Sequence, residues 1–186
     1  MSAALTSPRP AALAATAAGC VALVARPVLL RVGPDPTVAL VLLFLTLLLA
    51  GVCIPVRADR GRAPACSPVV AVAVGTAAFA LGRLLAGGHQ PAPVTVELVA
   101  LNTLAAVGEE AFFRRLVFDA LRPGGVAAAV AGSALLFAVV HVTVYGAWVL
   151  PIDLAAGLVL SWQRWATGSW VAPAVTHVLA NVLVVI

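Results

Sequence analysis

Charge is what this sequence has least of. Only 10% of its 186 residues are charged, against 63% hydrophobic, and the mean hydropathy is +1.11. A soluble domain carries about 25% charged and about 45–50% apolar residues, so a water-soluble globular chain is excluded. Lysine is absent, and all eleven basic residues are arginine. No run of them is long enough to track a nucleic-acid backbone. A net charge of +4 spread over short loops instead suits orientation in a bilayer. Cysteine is scarce and odd in number: Cys20, Cys53 and Cys66 stand at unrelated spacings, which gives neither a disulfide framework nor a metal cage. Two of them lie in apolar runs, as small core residues do. Arg9, an apolar run and Ala18-Gly19-Cys20 faintly resemble a lipoprotein signal. Ala17 stands where that signal needs a large aliphatic residue, so the segment is read as a retained span.

What is present is apolar helix. Seven segments can be drawn, at about 11–30, 37–56, 69–86, 94–121, 126–145, 148–162 and 170–186. Arg26-Pro27 interrupts the first, and the polar loop 57–68 carries three arginines and Asp59. Gly87 to Pro91, with His89, is loop chemistry, and Arg122-Pro123-Gly124-Gly125 is a strong breaker. The expected fold is therefore all-α, a polytopic transmembrane helical bundle of about seven spans. Trp148, Trp162, Trp165 and Trp170 fall near expected span ends, where interfacial aromatics belong. The loops on the N-terminal side carry Arg9, Arg57, Arg60, Arg62, Arg115, Arg122 and Arg164; the opposite side carries Arg26, Arg31 and Arg83. That bias predicts an integral membrane protein with a cytoplasmic N-terminus.

Against this background the stretch Gly108-Glu109-Glu110-Ala111-Phe112-Phe113-Arg114-Arg115 stands out, with more than a fifth of the formal charge. Ionisable groups inside a membrane are functional-site candidates. Glu109 and Glu110 point about 100° apart on a helix, while Glu110 and Arg114 have the i,i+4 spacing of an ion pair. This divides the labour: Glu110 with Arg114 holds the helix, and Glu109 faces a cavity. The breaker at 122–125 makes the fourth and fifth segments a hairpin, which puts the glutamates and His141 at similar depth, roughly 20–25 Å from the turn. His177 and Asn181, four apart, share one face of the last segment, but by the same count His177 sits shallower. His89 is expected to be solvated, and Phe137 to pack.

A carboxylate in an apolar cavity can take a proton from water, and an imidazole opposite can hold that water. A second histidine with an asparagine amide offers donors to an oxyanion. These groups fit hydrolysis of an amide within the membrane. The same two histidines and a glutamate could hold zinc, although no HExxH helix is present. A serine mechanism would have to use Ser133, eight residues before His141 and better read as helix packing. An aspartyl mechanism would need Asp119 and Asp153, which lack a supporting glycine motif.

Glu109-Glu110-x-x-x-Arg114, Phe137-x-x-x-His141 and His177-x-x-x-Asn181, in that order on three segments, resemble the three motifs of the CPBP family. This is the CAAX-protease and bacteriocin-processing group, also called ABI. The resemblance covers about 94–186, and the chain divides accordingly into N-terminal helices (1–90, spans 1–3) and a family-like catalytic core (91–186, spans 4–7). It implies an intramembrane endopeptidase in which Glu109 activates water, His141 assists, and His177 and Asn181 stabilise the oxyanion. Glu110, Arg114 and Phe137 would support them. The glutamate mechanism needs no cofactor and is favoured, with Zn2+ the metalloprotease alternative. The implied partners are a membrane-embedded or membrane-anchored peptide or protein and the bilayer, with C-terminal tag or CAAX-like processing one substrate class. Two other readings are a non-catalytic scaffold or immunity protein, and a proton-coupled carrier using Glu109 and His141.

Overall fold

The computed structural model describes residues 10–33, 35–56, 64–85 and 94–185. Arg9, the loop positions 57–63 with Arg57, Asp59, Arg60 and Arg62, and positions 86–93 with His89 and the boundary drawn at 90 lie outside them. The described residues form helices α1 (Pro10–Val24), α2 (Arg26–Val32), α3 (Pro36–Cys53), α4 (Pro68–Leu85) and α5 (Val96–Glu110). A π-helical segment (Ala111–Val117) continues α5 into α6 (Phe118–Leu121). Then come α7 (Val126–Tyr145), α8 (Leu150–Thr167) and α9 (Val171–Val185), with one-turn 3-10 helices at Arg122–Gly124 and Ala147–Val149. No strand occurs among the described residues, and all three cysteines are free thiols.

Local chemistry sets the element boundaries. α1 and α2 are bent by 58° where Arg26-Pro27 interrupts the apolar run, because proline lacks an N–H and crowds the preceding turn. Asp35 caps α3 by accepting from the N–H groups of Thr37 (2.7 Å) and Val38 (3.1 Å), with Pro36 opening the helix. Thr95 caps α5 through a bond from Leu98 N at 3.2 Å. Helices α3, α4 and α7 are long and apolar enough to cross a membrane, and the bent pair α1–α2 makes a fourth candidate. The remaining segments of the expected seven are helical but fall short. α5 and α9 have 15 described residues each, and α8 carries Asp153 and Arg164.

The fourth segment departs most from a plain span. Its helix widens at Ala111–Val117 into π geometry, which occurs mostly as single turns and often at functional sites. Carbonyls of this wider stretch also accept side-chain bonds: Ser133 Oγ donates to Phe113 O and Arg164 Nε to Arg114 O, both at 2.8 Å. Here lies the centre of the molecule. Phe112, Phe113 and Leu116 are fully buried among Phe44 and Leu47 of α3 and Phe137 and Val140 of α7. Arg115 caps the C-terminal end of α3, donating to Gly51 O and to Ile54 O. The outer faces expose Leu42, Leu49, Val69 and Leu84, as a surface turned to lipid should.

Helices α7 and α8 form a tight hairpin. Gly146, at φ 90° in a region that L side chains rarely adopt, reverses the chain. A Cβ on Gly157 would lie 2.9 Å from Ala134 Cα, so only glycine permits this closeness of the two backbones. Gln163 Nε2 donates to Ala71 O (2.6 Å) and to Thr176 Oγ1 (2.8 Å), tying α8 to α4 and α9.

Candidate active site

Glu110 is fully buried and holds two partners. Its Oε2 lies 3.2 Å from Arg114 Nε, and its Oε1 accepts from His177 Nδ1 at 2.9 Å. The i,i+4 spacing thus makes an ion pair inside the bundle. The Arg114 guanidinium, also fully buried, lies over the Phe137 ring at 4.6 Å and reaches Gly157 O at 3.5 Å. An unpaired charge at this depth would be costly, and Glu110 compensates it.

Glu109, 4% exposed, sits between the two imidazoles. His141 Nε2 is 3.8 Å from its Oε1, and His177 Nε2 is 4.0 Å from its Oε2. These gaps exceed a direct hydrogen bond. The other ring nitrogens are occupied. His141 Nδ1 lies 2.7 Å from Phe137 O, which can only accept, so Nδ1 carries the proton. Ionised Glu110 likewise accepts from His177 Nδ1–H. Both rings therefore present Nε2 to Glu109, and the second-neighbour bonds fix their orientation.

Phe137 packs, as expected, and more specifically forms the floor under the site. Its ring centroid is 4.6 Å from that of His141 and 5.9 Å from that of His177, with Phe113 edge-on at 5.4 Å. Asn181 lies one turn beyond His177 and donates from Nδ2 to Asn102 O of α5 at 3.3 Å. That bond joins α9 to α5 and leaves the second amide N–H uncommitted to it.

The depth count that put His177 shallower than the glutamates does not hold, since His177 is bonded to Glu110. The count assumed that both interhelical turns lie at one level. Arg164 bonds both Arg114 O and Asp119 Oδ1 (2.8 Å), which draws the end of α8, and the Gly168 turn after it, inward. α9 therefore starts deeper than α7, and His177 comes level with Glu110. Two neighbours of the site were not singled out for this role from the sequence. Asp153 Oδ2 is 3.8 Å from His141 Nδ1, and the Tyr145 ring stacks on His141 at 5.9 Å. Tyr145, at i+4 from His141, was open to the same spacing argument as Arg114.

Two of the groups weighed for other mechanisms, Ser133 and Asp119, are engaged elsewhere. Ser133 is fully buried and bonded to the π-segment carbonyl, and Asp119 pairs with Arg164. Among the described residues, no three His, Cys, Asp or Glu side chains form a group that could hold a metal ion.

The family model of the Rce1-like type II CAAX prenyl endopeptidases matches residues 91–183. The chain belongs to this family. That agrees with the resemblance read from the three motifs, and every residue of those motifs falls inside the match. Neither a curated protein nor a solved structure matches the chain. Membership of the Rce1-like family supports a membrane protease acting on a membrane-associated peptide or protein. The N-terminal helices α1 to α4, which pack against the motif-bearing part, lie outside the match.

Proposed function

We propose that this Rce1-like protein is an intramembrane endopeptidase whose general base is Glu109. The observation that carries the reading is the position of Glu109 between two imidazole Nε2 atoms, 3.8 and 4.0 Å away, in a nearly closed site. A water in the first gap donates one hydrogen to Glu109 Oε1 and the other to His141 Nε2. Its oxygen attacks the scissile carbonyl carbon as Glu109 takes the first proton. The carbonyl π electrons move to oxygen, and this oxyanion accepts from the free amide N–H of Asn181 and from His177. With Glu110 as counter-ion, His177 in its doubly protonated form offers Nε2–H. When the C–N bond breaks, Glu109 returns its proton to the leaving amine. The remaining hydroxyl proton of the adduct passes to His141 Nε2.

Glu110, Arg114 and Phe137 position these groups. The scaffold reading leaves both oriented imidazoles without a task, and the carrier reading leaves His177 and Asn181 without one. The substrate class that fits family and site together is a membrane-anchored chain cut near its C-terminus, a CAAX-like tail or sorting tag. The short chain, with almost no part outside its apolar segments, favours a compact bacterial member of the family in the plasma membrane, and the arginine bias favours a cytoplasmic N-terminus.

The decisive test compares the membrane proteome of cells carrying wild-type and Glu109→Gln protein. One unprocessed membrane protein should accumulate only with the variant; identical proteomes would remove the support for proteolysis. The mechanism as proposed uses no metal. Purified active protein should therefore keep its cleavage rate after exhaustive chelation, and a rate restored only by added zinc would overturn the metal-free mechanism.

A further inference from the structure

Asp153 lies outside the three motifs, and no step of the proposed reaction uses it. Its Oδ2 is 3.8 Å from His141 Nδ1, cut off from solvent and without a hydrogen-bond partner. A carboxylate oxygen left unbonded inside an apolar bundle is costly, so its place beside an imidazole calls for a reason. The fold fixes that place in three ways. Gly146 and the Ala147–Val149 turn fold the chain back, Pro151 opens α8, and Gly157 brings α8 onto the Ala134 backbone. Asp153, one helical turn before Gly157, is thereby held against the face of α7 that carries Phe137 and His141.

The two imidazoles are then built alike. Each turns Nε2 to one oxygen of Glu109, and each has a carboxylate beside Nδ1: Glu110 at 2.9 Å for His177 and Asp153 at 3.8 Å for His141. They differ in that Phe137 O takes the Nδ1–H of His141, so Asp153 acts on that ring through its charge. We infer that Asp153 is a positioning residue for His141. It holds the ring turned toward Glu109 and stabilises the positive charge that forms when Nε2 takes the second proton of the reaction. The charged step rests on the proposed role of His141.

The titratable groups around His141 come from several helices. Glu109 faces it from α5 and Asp153 from α8, Tyr145 stacks on it from α7, and Arg114 and His177 lie around the same Phe137 ring. Farther along α7, Arg26 of α2 lies over Phe44, Arg115 caps α3, and Asp119 of α6 pairs with Arg164.

The chain has three histidines, which makes their ring nitrogens separable by 15N NMR of the full-length protein in lipid nanodiscs. His141→Gln and His177→Gln variants assign the signals. Asp153→Asn keeps the side-chain shape and removes the charge. It should move the 15N signals of His141, whose Nδ1 it faces, and leave the His177 signals in place. Asp153→Glu, which keeps the charge, should restore the wild-type His141 signals. Unchanged His141 signals in Asp153→Asn overturn the inference, and so does an equal disturbance of both rings, which would mark a rearranged bundle. No substrate enters this measurement. If Glu109→Gln abolishes cleavage but Asp153→Asn leaves His141 unmoved, this inference fails alone. If His141 responds but cleavage ignores Glu109, the protease reading fails alone.

Discussion

Glu110 and His177 are joined by a 2.9 Å hydrogen bond across 67 residues of sequence, and the same carboxylate lies 3.2 Å from Arg114. The bond ties the last helix to the charged stretch and sets the Nε2 of His177 toward the neighbouring Glu109. Adjacent glutamates thus serve different ends: one fixes geometry, and the other is left without a strong partner of its own.

This division has a measurable consequence. Glu110→Gln leaves the buried guanidinium of Arg114 uncompensated, and breaking a buried pair from one side costs about 3–5 kcal/mol. The variant is expected to unfold much more readily in detergent, and to lose activity together with stability. Glu109→Gln should abolish cleavage while unfolding close to wild type. Parallel unfolding curves and cleavage assays separate the two. Equal destabilisation by both substitutions would contradict the division.

Ser133 allows a similar separation. Its hydroxyl donates to Phe113 O at 2.8 Å in a fully buried place. Ser133→Ala removes the donor and leaves that carbonyl with its backbone bond from Phe118 N–H, at a cost of about 0.5–1.5 kcal/mol. Well below its unfolding temperature the variant should still cleave at near the wild-type rate. A loss of cleavage in folded protein would reinstate a serine nucleophile.

What could be read from the sequence follows the range of each interaction. The apolar segments became helices because their length and composition are local properties. Glu110–Arg114 was legible because i,i+4 neighbours meet on a helix whatever surrounds them. The level of His177 was not, since it depends on Arg164 docking on Arg114 O, 50 residues away in sequence. The π widening at Ala111–Val117 had no local signal either; its carbonyls are engaged by Ser133 of α7 and Arg164 of α8. Asp153 was dismissed for want of a motif, and only the Gly146 reversal and the Gly157 crossing bring it to His141.

Arg164 offers the last test, because it links the frame to the site. It donates from Nε to Arg114 O and from Nη2 to Asp119 Oδ1, both at 2.8 Å, and its guanidinium lies over Phe118 at 5.2 Å. The residue whose carbonyl it holds is the one whose side chain balances Glu110. Arg164→Gln should therefore destabilise more than Asp119→Asn, since it loses the π-segment bond as well as the ion pair. A double-mutant cycle of the two should give a coupling of about 0.5–3 kcal/mol, as for groups in one network. Because Arg164 also sets the level of the α8–α9 turn, Arg164→Gln should weaken the His177–Glu110 bond and lower the cleavage rate even where the protein is folded. Asp119→Asn, which keeps Arg164 on Arg114 O, should lower that rate less. Additive stabilities, or equal rates in the two variants, would show that the position of His177 does not depend on Arg164.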